Sequence, residues 1–344
     1  MSEYGFTHRY RFNKVSVLVM LAISIPIIFL VSISVGVVPV SLLEVALSVL
    51  GFNEVDPIAF TVIFNIRVPR ALMALISGSV LAVSGATLQG VLRNPLVSPF
   101  TLGVSSGASF GAALAIVLGV GLIGSSSYIV MFNAFIFALI ACFTALLIAR
   151  LKGATSESVI LAGIAMMYIF SAAITLLQYI AREWELKALV HWMMGDLALA
   201  NWRRAYLIAP SILVCIPLLK YAWDLNALML GEETAKSLGV NPESTRLICA
   251  SLSALAVAIV VCMTGPIGFI GLVSPHMARY LVGADYRYSM IASILIGALL
   301  LTTADTIARI IIAPIELPVG VVTAFLGVPL FVHLLLKARR EIWR

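Results

Sequence analysis

At 344 residues the chain could form two soluble domains, but 62% hydrophobic residues, 11% charged residues and a mean hydropathy of +1.10 exclude that class and describe a membrane protein. The net charge of +6 is accounted for by basic ends, "HRYRFNK" and "KARREIWR", so nucleic acid need not be invoked as a partner.

A bilayer core takes about 20 apolar residues per helix. Stretches free of Asp, Glu, Lys and Arg run over 15–43, 71–92, 94–149, 158–181, 205–219, 247–278, 288–304 and 317–336. The first is too long for a signal-peptide core and is kept as a span. The 94–149 stretch holds two spans. In 247–278, "TGPIGFIGLVSP" ends one helix and starts a shorter one. The expectation is therefore an all-α polytopic protein with about ten transmembrane helices, nine if that break is not a boundary. One transmembrane domain, 15–336, stands between tails 1–14 and 337–344. Ten spans put both termini on one side, and the excess of Lys and Arg makes that side cytoplasmic.

On this topology Arg67 and Arg70 of "FNIRVPRALMAL" are anomalous, because they fall on the outer lip of the second span. Pro69 suits a first helical turn, which places Arg67 in the loop and Arg70 on that turn. Farther along, Gly78, Ala82, Ala86 and Gly90 recur every four residues, as do Gly103, Gly107, Gly111, Ala115 and Gly119. Such stripes let helices pack closely in lipid, and lining a pathway is the alternative. Ser77, Ser84, Thr87 and Gln89 beside the first stripe can bond to neighbouring helices. Prolines in "LRNPLVSPFTLG" turn the chain, with Arg93 marking the turn as cytoplasmic. "LVSP" returns at 272–275, which is compatible with a duplicated half or with chance. Cys142, Cys215, Cys249 and Cys262 all lie in apolar stretches without ligand spacing and read as small core residues.

The segment 220–247 is too polar to span and reads as two short surface helices. The first sets Leu228, Leu230, Ala235 and Leu238 against Glu232, Glu233 and Lys236, and Gly239 ends it. Asn241, Pro242 and Glu243 then supply an N-cap, an N1 proline and a first-turn acid. Such a pair is either a solvated connector or a docking platform.

Ionisable groups in spans are functional suspects. His276 and Arg279 follow the "IGLVSP" break, and Asp305 and Arg309 stand at i, i+4, the spacing of a local ion pair. No G-x-x-x-x-G-K-[ST] loop is present, so ATP chemistry must come from another subunit. There is no H-E-x-x-H, no Cys pair with metal spacing and no membrane Ser with a convincing His partner, which leaves an intramembrane hydrolase little support. An ion-coupled carrier acting without an ATPase would bury more carboxylates near the midplane, and is kept as the alternative.

Taken together, "RVPRALMALISGSVLAVSGATLQGVLRNPLVSPFTLGVSSGASFG" (67–111), "LAGIAMM" (161–167), "HWMMGDL" (191–197), "LGEETAKSLGV" (230–240), "TGPIGFIGLVSPHMAR" (264–279), "ADTIAR" (304–309) and "ELPVGVVTAFLGVPLFVHLL" (316–335) resemble the FecCD-type permeases. These are membrane subunits of ABC importers for iron-siderophores, haem, cobalamin and related chelates. The resemblance covers the chain beyond its N-terminal tail. It implies a type II ABC importer permease in the cytoplasmic (inner) membrane, a homodimer or matched pair, not itself an enzyme and holding no cofactor or metal. Two ABC ATPase subunits, carrying ATP and Mg, would bind below and an extracytoplasmic substrate-binding protein above.

By the same resemblance, 220–247 docks the ATPase, with Gly231, Glu232, Glu233, Lys236, Leu238 and Gly239 at the contact. Thr155 and Ser156 of "KGATSES" occupy the cytoplasmic gate, although the loop sequence departs from the family pattern there. Arg67, Arg70 and Arg309 match arginines that receive glutamates of the binding protein, a role suited to the planar guanidinium fork. The bland alternatives are that Arg309 only pairs with Asp305 and that Arg67 and Arg70 snorkel to headgroups.

Overall fold

The chain is described here from a computed structural model, in which residues 14–36, 57–121 and 127–337 are defined. The basic tails, apart from Lys14 and Lys337, lie outside the described residues. In chain order the helices are α1 (Lys14–Ser34), α2 (Pro57–Val91), α3 (Val104–Leu118), α4 (Ser127–Arg150), α5 (Ser156–Ile180), α6 (Glu183–Met193), α7 (Trp202–Ile208) and α8 (Pro210–Lys220). They continue as α9 (Ala222–Met229), α10 (Glu232–Ser237), α11 (Pro242–Thr264), α12 (Ile270–Val282), α13 (Tyr286–Ile310) and α14 (Val319–Lys337). The described residues contain 7 helices long and apolar enough to cross a membrane: α1, α2, α4, α5, the α7–α8 rod, α11 and α13. These, with the shorter α3, α12 and α14, fall on the apolar stretches of the sequence, two of them on 94–149 and two on 247–278.

The centre of the bundle is α2, buried nearly throughout from Arg67 to Val91 and packed most extensively on α13, then on α11 and α12. Its small residues make this possible. A Cβ on Gly78 would strike the carbonyl of Gly297 in α13, and one on Gly85 would strike the carbonyl of Gly271 in α12. Gly90 faces the ring of Tyr286, 2.7 Å from where its Cβ would stand. The second stripe does the same for α3: Gly107 abuts the Phe137 carbonyl and Gly111 that of Asn133, both in α4. Close packing is therefore a use of both stripes, except at Gly119, whose φ of +64 ends α3 and which has no described atom within 4 Å of where a Cβ would stand. All four cysteines are buried and unbridged. Thr87 donates to its own helix at Val83, while Gln89 donates to Val97 and Leu272, tying α2 to the following turn and to α12.

Three sequence expectations are corrected. Arg67 does not lie in a loop, because the helix begins ten residues earlier at Pro57 and widens to π geometry over Val62–Arg67. In that register Pro69 would have bonded to the Phe64 carbonyl, and the indole N–H of Trp202 donates to that carbonyl instead, at 2.8 Å. The surface pair is divided differently: α9 ends before Gly231, whose φ is +112, and α10 follows. The Asn241 cap and Pro242 open the spanning helix α11 itself, Asn241 Oδ1 accepting from the Ser244 N–H at 3.1 Å. "TGPIGFIGLVSP" does end one helix and start a shorter one, as expected, but "IGLVSP" itself is helical, since α12 starts at Ile270 and runs through Pro275. The break is the preceding 265–269, where Gly265 and Phe269 have φ of +68 and +66. One helix went unread in the sequence: α6, "EWELKALVHWM", charged and only 11 residues long.

Candidate functional site

Two ends of the bundle carry the polar chemistry. At the end expected to face outward, α2 and α13 bring Arg67, Arg70 and Arg309 together, as the resemblance implies. They are not presented to solvent, however: each is 4% exposed, and Asp305 between them is 0% exposed. Arg70 Nε stands 2.9 Å from Asp305 Oδ1 and its Nη1 2.5 Å from Glu316 Oε2, so one guanidinium joins α2, α13 and the connection into α14. Arg309 Nε lies 3.3 Å from Asp305 Oδ2, which makes the i, i+4 pair real and shares its carboxylate with Arg70.

The remaining donors of Arg309 and Arg67 close the C-terminal end of α1. Arg309 donates to the carbonyls of Ser32 and Val35, each at 2.9 Å. Arg67 Nη1 donates to those of Ile33 and Ser34 at 3.0 and 2.9 Å. A helix leaves its last four carbonyls unpaired and carries partial negative charge there, so two guanidinium groups are apt partners. The cluster thus staples α1 to the bundle. Turned inward in this way, Arg67 and Arg70 do not snorkel. The sequence reading overlooked Glu316, although an acid between "API" and "LPVG" just beyond a spanning helix could have signalled it.

At the opposite end, the segment around α10 divides into an inward and an outward face. Ala235 is fully buried. Leu230 and Leu238 are 67% and 62% exposed, and Glu233 and Lys236 pair with each other at 2.9 Å on the open side. That pairing holds the Lys236 ammonium above its usual range. Gly231 and Gly239, with φ of +112 and +85, bracket the helix at positions where a side chain would be strained. Glu232 departs from expectation: its carboxylate turns inward, 2.6 Å from Nη2 of Arg246, a buried residue that the sequence reading passed over. Thr155 is the N-cap of α5, its hydroxyl accepting from the Ser158 N–H at 3.2 Å, and Ser156 opens that helix.

Between α6, the 265–269 break and α14 lies an apolar hollow of about 600 Å³, lined by Met193, Met194, Pro266, Gly320 and Phe325 among others. Phe325, at 77% exposure, borders it on the open face of α14. His276 sits away from it, in contact with the Leu272 carbonyl and the ring of Phe331.

The profile of the FecCD transport family matches residues 23–337, nearly the whole described chain. The chain belongs to the FecCD transport family. Among its relatives, the hemin transport system permease of Yersinia pestis is 39% identical, over 92% of this chain and 95% of that one. The molybdate import system permease of Haemophilus influenzae is also 39% identical, over 83% and 84%. A solved structure, described as an inward-facing conformation of a metal-chelate type ABC transporter, superposes with a TM-score of 0.83 at 34% identity, covering 94% of this chain and 99% of that one. This FecCD-family chain is accordingly an ABC permease, a multi-pass protein of the cytoplasmic membrane and not itself an enzyme. Membership implies an ATPase and a substrate-binding protein as partners, and argues against a carrier that works alone.

Proposed function

We propose that the chain is the translocating subunit of a binding-protein-dependent ABC importer carrying a metal chelate: an iron-siderophore, haem or cobalamin. In this reading it crosses the membrane ten times with both termini cytoplasmic and works as a homodimer. Two ATPase subunits bind at α9–α10 and hydrolyse ATP with Mg, and the binding protein docks at the arginine end.

The observation that carries this is the surface helix α10. Leu230 and Leu238 flank Glu233 and Lys236 on a segment too polar to rest in lipid, so these apolar side chains need a soluble partner to cover them. Gly231 and Gly239 fix the turns on either side, and Thr155 and Ser156 stand nearby as the cytoplasmic gate. The open face of α14 with its hollow supplies a surface for the path between two copies. Binding-protein docking draws on Arg67, Arg70 and Arg309 by exchange: Glu316, 36% exposed, is the surface partner of Arg70, and an incoming carboxylate takes its place.

The test is reconstitution of the chain with its ATPase and binding protein in proteoliposomes. ATP hydrolysis should rise when the binding protein is loaded with the right cargo, tried across haem, cobalamin, iron-siderophores and molybdate. Stimulation by molybdate alone would replace the chelate by an oxyanion. Uptake on an ion gradient with no ATPase present would sink the importer reading.

A further inference from the structure

Arg246 lies on the second turn of α11 and is 2% exposed, one of the largest fully buried side chains among the described residues. Its three nitrogens go to three different elements. Nη2 meets Glu232 of α10 at 2.6 Å, Nη1 donates to the Ala154 carbonyl at 2.5 Å, and Nε donates to the Val91 carbonyl at 3.4 Å. Val91 is the last residue of α2, and Ala154 lies in the turn that follows α4, so the cation sits where two helix C-terminal ends direct negative charge.

The loop it holds is strained. Gly153 and Ala154 both have positive φ, +78 and +46, and for alanine that region is unfavourable. The Ala154 methyl is fully buried and its N–H bonds to Ala149 at 2.8 Å, so burial and two hydrogen bonds over-determine the conformation. Beside this loop a hollow of about 500 Å³, lined by Gly153, Thr155, Glu232, Lys236 and Arg246 among others, separates it from α10. Across that gap the guanidinium of Arg246 is the bridge.

We infer that Arg246 is a positioning residue that transmits displacement of α10 to the 150–156 loop and to the end of α2. A push on α10 reaches the loop through the Glu232 carboxylate and the planar guanidinium, which can move only as a unit. This rests on the reading that α10 docks on the ATPase, and the experiment below separates the two.

The full complex, chain with ATPase and binding protein, is studied by hydrogen–deuterium exchange without nucleotide and with ATP, alongside substrate imported per ATP hydrolysed. In the unsubstituted complex ATP should change exchange at both 230–239 and 150–156. In Arg246→Lys, which keeps the charge but loses the three-way fork, the change at 230–239 should persist while that at 150–156 disappears. Import per ATP should then fall about tenfold, as expected for loss of one charge-assisted hydrogen bond. A merely structural role would raise exchange at 150–156 equally in both states without removing its response to ATP, and that result would overturn the inference. If Arg246→Lys fails to assemble, Glu232→Asp, one methylene shorter, should weaken the same ATP response, and an unaltered response would again overturn it. No ATP effect at 230–239 in the unsubstituted complex would overturn the docking reading itself.

Discussion

At the scale of single residues, the fate of a buried charge is set by its partners. Asp305 is fully buried and serves both Arg70 and Arg309. Asp305→Asn takes from Arg309 the carboxylate it pairs with and from Arg70 one of its two, and should lower stability by about 3–5 kcal/mol, seen as a drop in Tm of the purified chain in detergent. Replacing Arg70 and Asp305 together by apolar residues of similar size should not restore the loss, because Arg309 is left without its carboxylate and Glu316 without its cation. Reversing Arg70 to Glu is therefore a poor docking probe, because it sets two acids together in the core. Glu316→Gln is cleaner: it leaves Asp305 in place and should alter binding-protein affinity with little change in Tm. Near the start of α13, Asp285 accepts from Arg287 and from Asn226, and the Arg287 hydrogen bonds hold its carboxyl well below the usual range. A depressed pKa stabilises the fold above the unfolded value of about 4 and loses that contribution as pH falls below it. Thermal melts from pH 5 down to pH 3 should therefore show a smaller acid loss in Asp285→Asn than in the parent. Arg67, Arg70 and Arg309 were legible as a group in sequence, but their inward direction was not, because it depends on the carbonyls of α1 and on an acid in another connection.

At the scale of elements, the small-residue stripes were readable from their spacing, and the structure supplies their counterparts. Gly85→Ala should prevent α2 from seating against α12, since its Cβ would overlap the Gly271 carbonyl and backbone cannot yield as a side chain can. Gly119→Ala meets no described atom within 4 Å and should cost the strain of its positive φ, about 1 kcal/mol. Comparing the yield of monodisperse protein for the two variants checks this contrast. At the end of α10, Leu238→Glu should abolish copurification with the ATPase while changing Tm little, because Leu238 is 62% exposed. The caps were read correctly as chemistry and wrongly as position. Asn241 and Pro242 do start a helix, yet nothing local says that this helix is the next span rather than a second surface piece. Helix α6 escaped notice because 11 residues with three charges in the first five match neither a span nor a loop.

At the scale of the whole molecule, the two polar ends are joined by one helix. α2 begins its buried course at Arg67, in the arginine cluster, and ends at Val91, on the Arg246 bridge. A shift at either end is carried by a rod packed by small residues against α11, α12 and α13, which suits a protein that must answer partners on both faces of a membrane.

By itself the sequence determined the class, the number and place of the apolar segments and the kinship to FecCD permeases, because hydropathy, proline and glycine positions and local motifs act through near neighbours. Only the tertiary structure decided which way the charged side chains turn. Arg70 finds Asp305 and Glu316 more than two hundred residues away, and Arg246 finds Val91 and Ala154 on two other elements. In a low-dielectric interior a guanidinium goes wherever carboxylates and open helix ends converge, and that convergence is a property of the packed bundle.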